Sequence, residues 1–162
     1  MKKTLPIGRF IAVALPLLLC IFTASCTLPK IIIMDDPLSA EQHNDLGVIY
    51  EKKGDHDAAQ KEYAKAIGKK SDWMTPYFNM GNLYYQEGNY GKAEAYYTKA
   101  LDRSPDNPDV MNNLANVLLM QQKADEAMPL VEKAIRIAPK EEYRDTQRKI
   151  VEEMSKAKKK SP

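Results

Sequence analysis

Between Ala40 and Glu141, apolar and small residues recur at three- and four-residue spacings, as Leu46/Tyr50 and Tyr63/Ala66/Ile67 illustrate. Polar residues occupy the intervening positions. This is the period of helices with one buried face. The pattern then repeats with a shift of 34 residues. Gly47 aligns with Gly81 and Ala115, Tyr50 with Tyr84 and Leu118, and Ala59 with Ala93 and Ala127. Tyr63, Tyr97 and Val131 fall in line, as do Ala66, Ala100 and Ala134. Small residues at fixed positions let two antiparallel helices approach, and the large ones fill the space beside them. Turn signals divide the helices at Lys53-Gly54-Asp55, Glu87-Gly88-Asn89 and Gln121-Gln122-Lys123. Ser104-Pro105-Asp106-Asn107-Pro108 and Ala138-Pro139-Lys140 separate the copies. Ser39-Ala40-Glu41-Gln42 fits a capping box that opens the first helix. Past the last copy, residues 142–158 read as a charged helix with Tyr143, Ile150, Val151 and Met154 on one stripe. Pro129 falls inside the second helix of the third copy, where it removes a backbone donor and is expected to bend the helix.

These residues resemble the tetratricopeptide repeat (TPR), in copies 40–73, 74–107 and 108–141. The departures are Ser71 where the first copy usually ends in proline, and Ala115 in place of glycine in the third. The resemblance implies an all-α fold: a right-handed superhelix of three helix-turn-helix repeats, closed by a C-terminal capping helix that covers the exposed end of the stack. The domain organisation expected is residues 1–25, 26–38, 39–141 and 142–162: leader, tether, repeats, and capping helix with basic tail.

The leader is read from charge and hydropathy. Lys2, Lys3 and Arg9 precede an uncharged run from Phe10 to Ala24, and small residues then lead up to Cys26. This is the layout of a secretory signal peptide. The run is too short, and too interrupted by Pro16, for a spanning helix of about 20 residues; an uncleaved anchor is the alternative. Phe22-Thr23-Ala24-Ser25-Cys26 resembles a bacterial lipobox, with Thr23 where leucine is usual. The resemblance implies lipidation of Cys26, a membrane anchor through that lipid, and, from Thr27 following, the outer membrane facing the periplasm. An ordinary signal peptide with an incidental Cys26 is the simpler reading. Residues 27–38 form the tether, in which Ile31-Ile32-Ile33-Met34 docks on the first helix, lies on the membrane or pairs with a partner strand.

Charge narrows the function classes. The 162 residues carry 24 basic and 22 acidic side chains, but three of the basic ones lie in the leader, so residues 26–162 balance at −1. No global positive field exists to hold nucleic acid. Two cysteines and two histidines supply neither a zinc site nor a disulfide framework. No phosphate loop, nucleophile elbow or desolvated carboxylate pair is found, so neither an enzyme nor a cofactor is expected. His43 and His56 are read as helix-packing residues, and Trp73 as packing between the first two copies. In the pairs Tyr84/Tyr85 and Tyr96/Tyr97, only one member can enter the core. Lys156, Lys158, Lys159 and Lys160 make either a solvated helix end or a contact for anionic polymer.

By resemblance, the first helix of each copy lines a concave groove through its second, fifth, sixth, ninth, twelfth and thirteenth positions. The candidates are Asn44 from the first copy, with Val48, Glu51 and Lys52 beside it. The second copy gives Phe78, Asn79, Asn82, Tyr85 and Gln86, and the third Asn112, Asn113 and Asn116 with Leu119 and Met120. The basic clamp with which related co-chaperones hold a terminal carboxylate is missing. Its sites here are Asn44, Val48, Asn79, Asp109 and Asn113, and only Asn79 agrees. A row of amides can instead satisfy the backbone of an extended peptide, although half of them are expected to cap turns or bond between helices. The expectation is a membrane-tethered adaptor that binds a protein or peptide partner. Self-association into dimers or filaments, a pilotin-like assembly role, and an envelope enzyme or polymer binder are the alternatives.

Overall fold

The computed structural model describes residues 36–160; the leader, Cys26 and Ile31-Ile32-Ile33-Met34 lie outside the described residues. Seven helices follow one another: α1 (Ala40–Lys52), α2 (His56–Lys69), α3 (Met74–Gln86), α4 (Tyr90–Arg103), α5 (Pro108–Met120), α6 (Ala124–Ile137) and α7 (Glu141–Lys160). The starts of α1, α3 and α5, and those of α2, α4 and α6, keep the 34-residue period to the residue. The last helix begins one residue earlier than its expected start and runs through Lys160.

Local chemistry sets these boundaries. Ser39 and Gln42 form the reciprocal capping box, with Ser39 Oγ accepting from the Gln42 amide and Gln42 Oε1 from the Ser39 amide. Asp55, Asn89 and Asn107 each accept from the amide three residues on, satisfying a donor that the first turn leaves open. At the turns inside the copies, the chain must enter the left-handed region, and Gly54 and Gly88 do so at φ 77° and 71°. In the third copy the same place falls to Gln122, at φ 64°. The three turns close with matching bonds, from the amides of Asp55, Asn89 and Lys123 to the carbonyls of Tyr50, Tyr84 and Leu118. Pro129 sits within α6 without ending it. The carbonyl it deprives of a donor belongs to Asp125, an exposed residue that water can serve.

Within each copy the two helices pair, and each even helix then packs on the next odd one. The backbones of the odd helices also approach those of their odd neighbours, α1–α3, α3–α5 and α5–α7, whereas the backbones of α2, α4 and α6 stay further apart. A stack drawn together along one row and open along the other curves, with the odd helices on its concave side. The periodic small residues Ala59, Ala93, Ala127, Ala66, Ala100 and Ala134 are all fully buried where helices meet. On α7, Tyr143 and Ile150 are buried and Met154 packs partly against the core. Val151, expected on the same stripe, is 53% exposed. It follows Ile150 directly, and one residue is about 100° of helix rotation.

Candidate functional site

The inner row of helices is stitched together by its amides. Asn79 Nδ2 on α3 donates to Asn44 Oδ1 on α1 at 2.9 Å, and Gln86 Nε2 donates to Glu51 Oε1 at 2.8 Å. Asn113 Nδ2 on α5 donates to Asn82 Oδ1 on α3 at 3.1 Å, and Asn116 Nδ2 reaches Thr146 Oγ1 on α7 at 3.3 Å. These bonds cross from copy to copy, so the asparagines that the sequence places on the groove also hold its ribs in register.

Two phenols from the outer row pass through the hairpins to the same surface. Tyr63 on α2 donates to Glu51 Oε2 at 2.6 Å, and Tyr97 on α4 donates to Asn82 Oδ1 at 2.7 Å. Burial first, and for Tyr63 the adjacent Glu51 carboxylate, push both phenols above their ordinary range, so they remain donors. Asn82 Oδ1 thereby receives two bonds, while Asn82 Nδ2 and Asn113 Oδ1 have no partner among the described residues.

Here the surface hollows into an open pocket of about 350 Å³. It is lined by Glu51, Asn82, Tyr85, Gln86, Tyr97, Asn113 and Asn116. Six of the groove positions read from the sequence, Glu51, Asn82, Tyr85, Gln86, Asn113 and Asn116, are brought together in it. Asn44, Phe78 and Asn79 lie outside its lining: Asn44 is buried, against expectation, and Phe78 is half-buried with its ring 5.9 Å from that of Tyr97. Asn112 corrects the expectation. It is 1% exposed and its Oδ1 has no partner among the described residues, so it belongs to the interior rather than to a surface a ligand can touch. Tyr97 was legible only as a core residue, because its periodic position reports the ring and not the hydroxyl that reaches the far side. Glu51 and Gln86 were legible from their groove positions.

The remaining candidates fall into structural roles. His43 is fully buried between α1 and α2, with Nδ1 2.6 Å from Glu62 Oε2. His56 is more open and lies 3.4 Å from Glu87 of the next copy, bridging copies rather than packing one hairpin. Tyr84 is buried and Tyr85 is 38% exposed, and Tyr97 is buried deeper than Tyr96. Trp73 is half-buried at the α3 N-terminus beneath the Lys70 ammonium. Where the first copy lacks its proline, the Ser71 carbonyl accepts from Arg103 Nε at 2.7 Å and Tyr77 Oη at 3.1 Å. Lys156 pairs with Glu152 at 2.9 Å on a helix end that continues through the lysines. Among the described residues, no three His, Cys, Asp or Glu side chains stand together as metal ligands. No described helix is long and apolar enough to cross a membrane.

A hairpin pair of fixed period, small residues at the helix crossings, and an amide-lined inner row define a helical repeat protein of the solenoid class. Two tetratricopeptide repeat family models match, one over residues 41–68 and the other over residues 84–150. The chain belongs to the tetratricopeptide repeat proteins.

Among solved structures, it is similar to the first TPR of Spaghetti (RPAP3) bound to the HSP90 peptide SRMEEVD, with TM-score 0.70 and 21% identity, over 74% of this chain and 96% of that one. It is also similar to the TPR2B domain of yeast Sti1, solved as a complex with pHsp70, with TM-score 0.66 and 18% identity over 70% and 96%. A third is YrrB, described as a TPR protein with an unusual peptide-binding site, with TM-score 0.63 and 24% identity over 67% and 57%. At these identities the likeness is one of fold. No curated protein matches the chain.

Proposed function

We propose that this protein is a non-catalytic adaptor, held at a bacterial envelope membrane by lipid on Cys26, that captures an extended segment of another protein on its concave face. The observation that carries the reading is the pair of amide groups, Asn82 Nδ2 and Asn113 Oδ1, that take no partner from the described residues and belong to side chains lining the pocket between α1, α3 and α5. A strand laid there presents both an N–H and a C=O, and an amide donor beside an amide acceptor satisfies both. The structurally similar RPAP3 domain holds a peptide, as its description states, which supports the same use of this face. The anchor confers its own advantage, since a tethered receptor meets membrane-bound partners at high effective concentration.

A photo-crosslinking amino acid tests this. Placed at Tyr85, on the pocket, it should trap a partner in intact envelopes; placed at Lys61, exposed on α2, it should not. Equal capture from both positions, or none from Tyr85, removes the groove as the binding surface.

A further inference from the structure

The pocket has a charge character that the peptide-groove reading leaves unused. Of its lining residues only Glu51 is acidic, and none is basic. Each Glu51 oxygen accepts one bond, from Tyr63 Oη and from Gln86 Nε2. Both donors are neutral, so they fix the carboxylate in place without cancelling it. Each oxygen also keeps a second lone pair. Among the described residues no cation stands within ion-pair distance of Glu51. Lys52 follows in sequence, but it is exposed and is not among the lining residues.

The placement of the pocket adds to this. Glu51, Tyr85 and Gln86 belong to the last turns of α1 and α3, the ends at which a helix dipole is negative and favours a cation. The same pocket is lined by the half-open ring of Tyr85, tilted on Tyr90 with centroids 5.7 Å apart. An aromatic face next to an acid suits an ammonium or guanidinium group, which gains from both. An acidic side chain at the same place meets Glu51 and no counter-charge.

Resting on the peptide-groove reading, we propose that this pocket selects a lysine or arginine side chain of the bound segment, with Glu51 as its counter-ion and Tyr85 as the ring beneath it. The preference is opposite in sign to that of a basic clamp on a terminal carboxylate.

The full chain is titrated with blocked peptides, acetyl-Ala-Ser-Ala-X-Ala-Ser-Ala-amide, in which X is lysine, arginine, norleucine or glutamate. A fifth peptide lacks lysine and carries a free amino terminus. Binding is read from the side-chain amide resonances of Asn82 and Asn113. The lysine and arginine peptides are expected to bind about tenfold tighter than norleucine, with glutamate weakest. Glu51→Gln, which keeps a hydrogen-bond acceptor for Tyr63, should erase the difference between lysine and norleucine. Norleucine or glutamate binding as tightly as lysine overturns the charge selection and leaves the groove reading standing. A free terminus that matches internal lysine overturns side-chain recognition in favour of an amine. If no peptide moves these resonances, the groove reading and the selection both fall.

Discussion

Gly81 faces the ring of Tyr97 so closely that a methyl group on it would lie 2.6 Å from two ring carbons. Gly47 stands in the same relation to Tyr63, at 2.4 Å and 2.5 Å. In the third copy both members change together: Ala115 takes the glycine's place and Val131 the tyrosine's, and both are fully buried. The smaller partner leaves room for the methyl. The conserved quantity across the crossing is the combined volume of the pair, as close packing requires.

A double-mutant cycle checks this. Gly81→Ala should cost about 2 kcal/mol by overpacking, and Tyr97→Val about 3 kcal/mol through the cavity and the lost bond to Asn82. The two together should cost clearly less than their sum, because they reproduce the pairing of the third copy. Urea melts that show simple additivity would contradict the volume argument.

Gln122 holds a left-handed conformation where Gly54 and Gly88 stand one and two periods earlier. Its side chain is exposed, so nothing packed is lost on removing it. Gln122→Gly should therefore stabilise the fold by about 1 kcal/mol. The reverse change, Gly88→Gln, should destabilise by a similar amount. A lower melting temperature for Gln122→Gly would refute the assignment of strain.

Acid should loosen the fold. Burial alone would raise the Glu62 carboxyl, but hydrogen bonds from Lys65 and His43 outweigh it and hold the group below the ordinary carboxylate range. Glu94 is lowered likewise, with Lys123 and Gln121 outweighing burial, and Asp109 is lowered by Lys140 and Tyr143. Groups lowered in the folded state lend stability that is complete above their unfolded values, near 4.5 for Glu and 3.8 for Asp, and that disappears as pH falls below them. Melting temperature should thus drop on acidification below about pH 4.5, and Glu62→Gln should flatten part of that limb. Salt should weaken the half-exposed Asp109–Lys140 share and spare the shielded Glu62. A flat profile from pH 6 to pH 3 would count against these pairings.

Cys26→Ser should abolish acyl labelling and release the protein from membranes, because one thiol carries the whole anchor in the proposed function. Labelling that persists in the variant would place the lipid elsewhere or dismiss it.

The hairpin period was readable because packing at each crossing demands one residue size, and that demand recurs every 34 positions. The first helix start was readable from the capping box at Ser39, whereas Asp55, Asn89 and Asn107 read only as parts of turns, and the structure shows them capping the helices that follow. Surface chemistry was less so. Asn112 and Asn113 are adjacent and identical, yet one is buried and the other lines the pocket. Tyr97 reads as core by its ring and reaches the groove by its hydroxyl. Bonds between helices were expected of half the asparagines, but the particular copy-to-copy pairs were not legible, since they depend on the spacing of helices some thirty residues apart in the chain.

The contact of α7 with α5 gives the concave face four ribs where three copies alone would supply three. Packed helices stand about 8–10 Å apart, so four of them cover roughly 27 Å from first axis to last. A strand advances about 3.3 Å per residue, and a guest crossing the ribs is thereby measured at about eight residues. In the proposed function, the described repeats would act as a ruler for a short linear stretch, and longer polypeptides would leave it at either side.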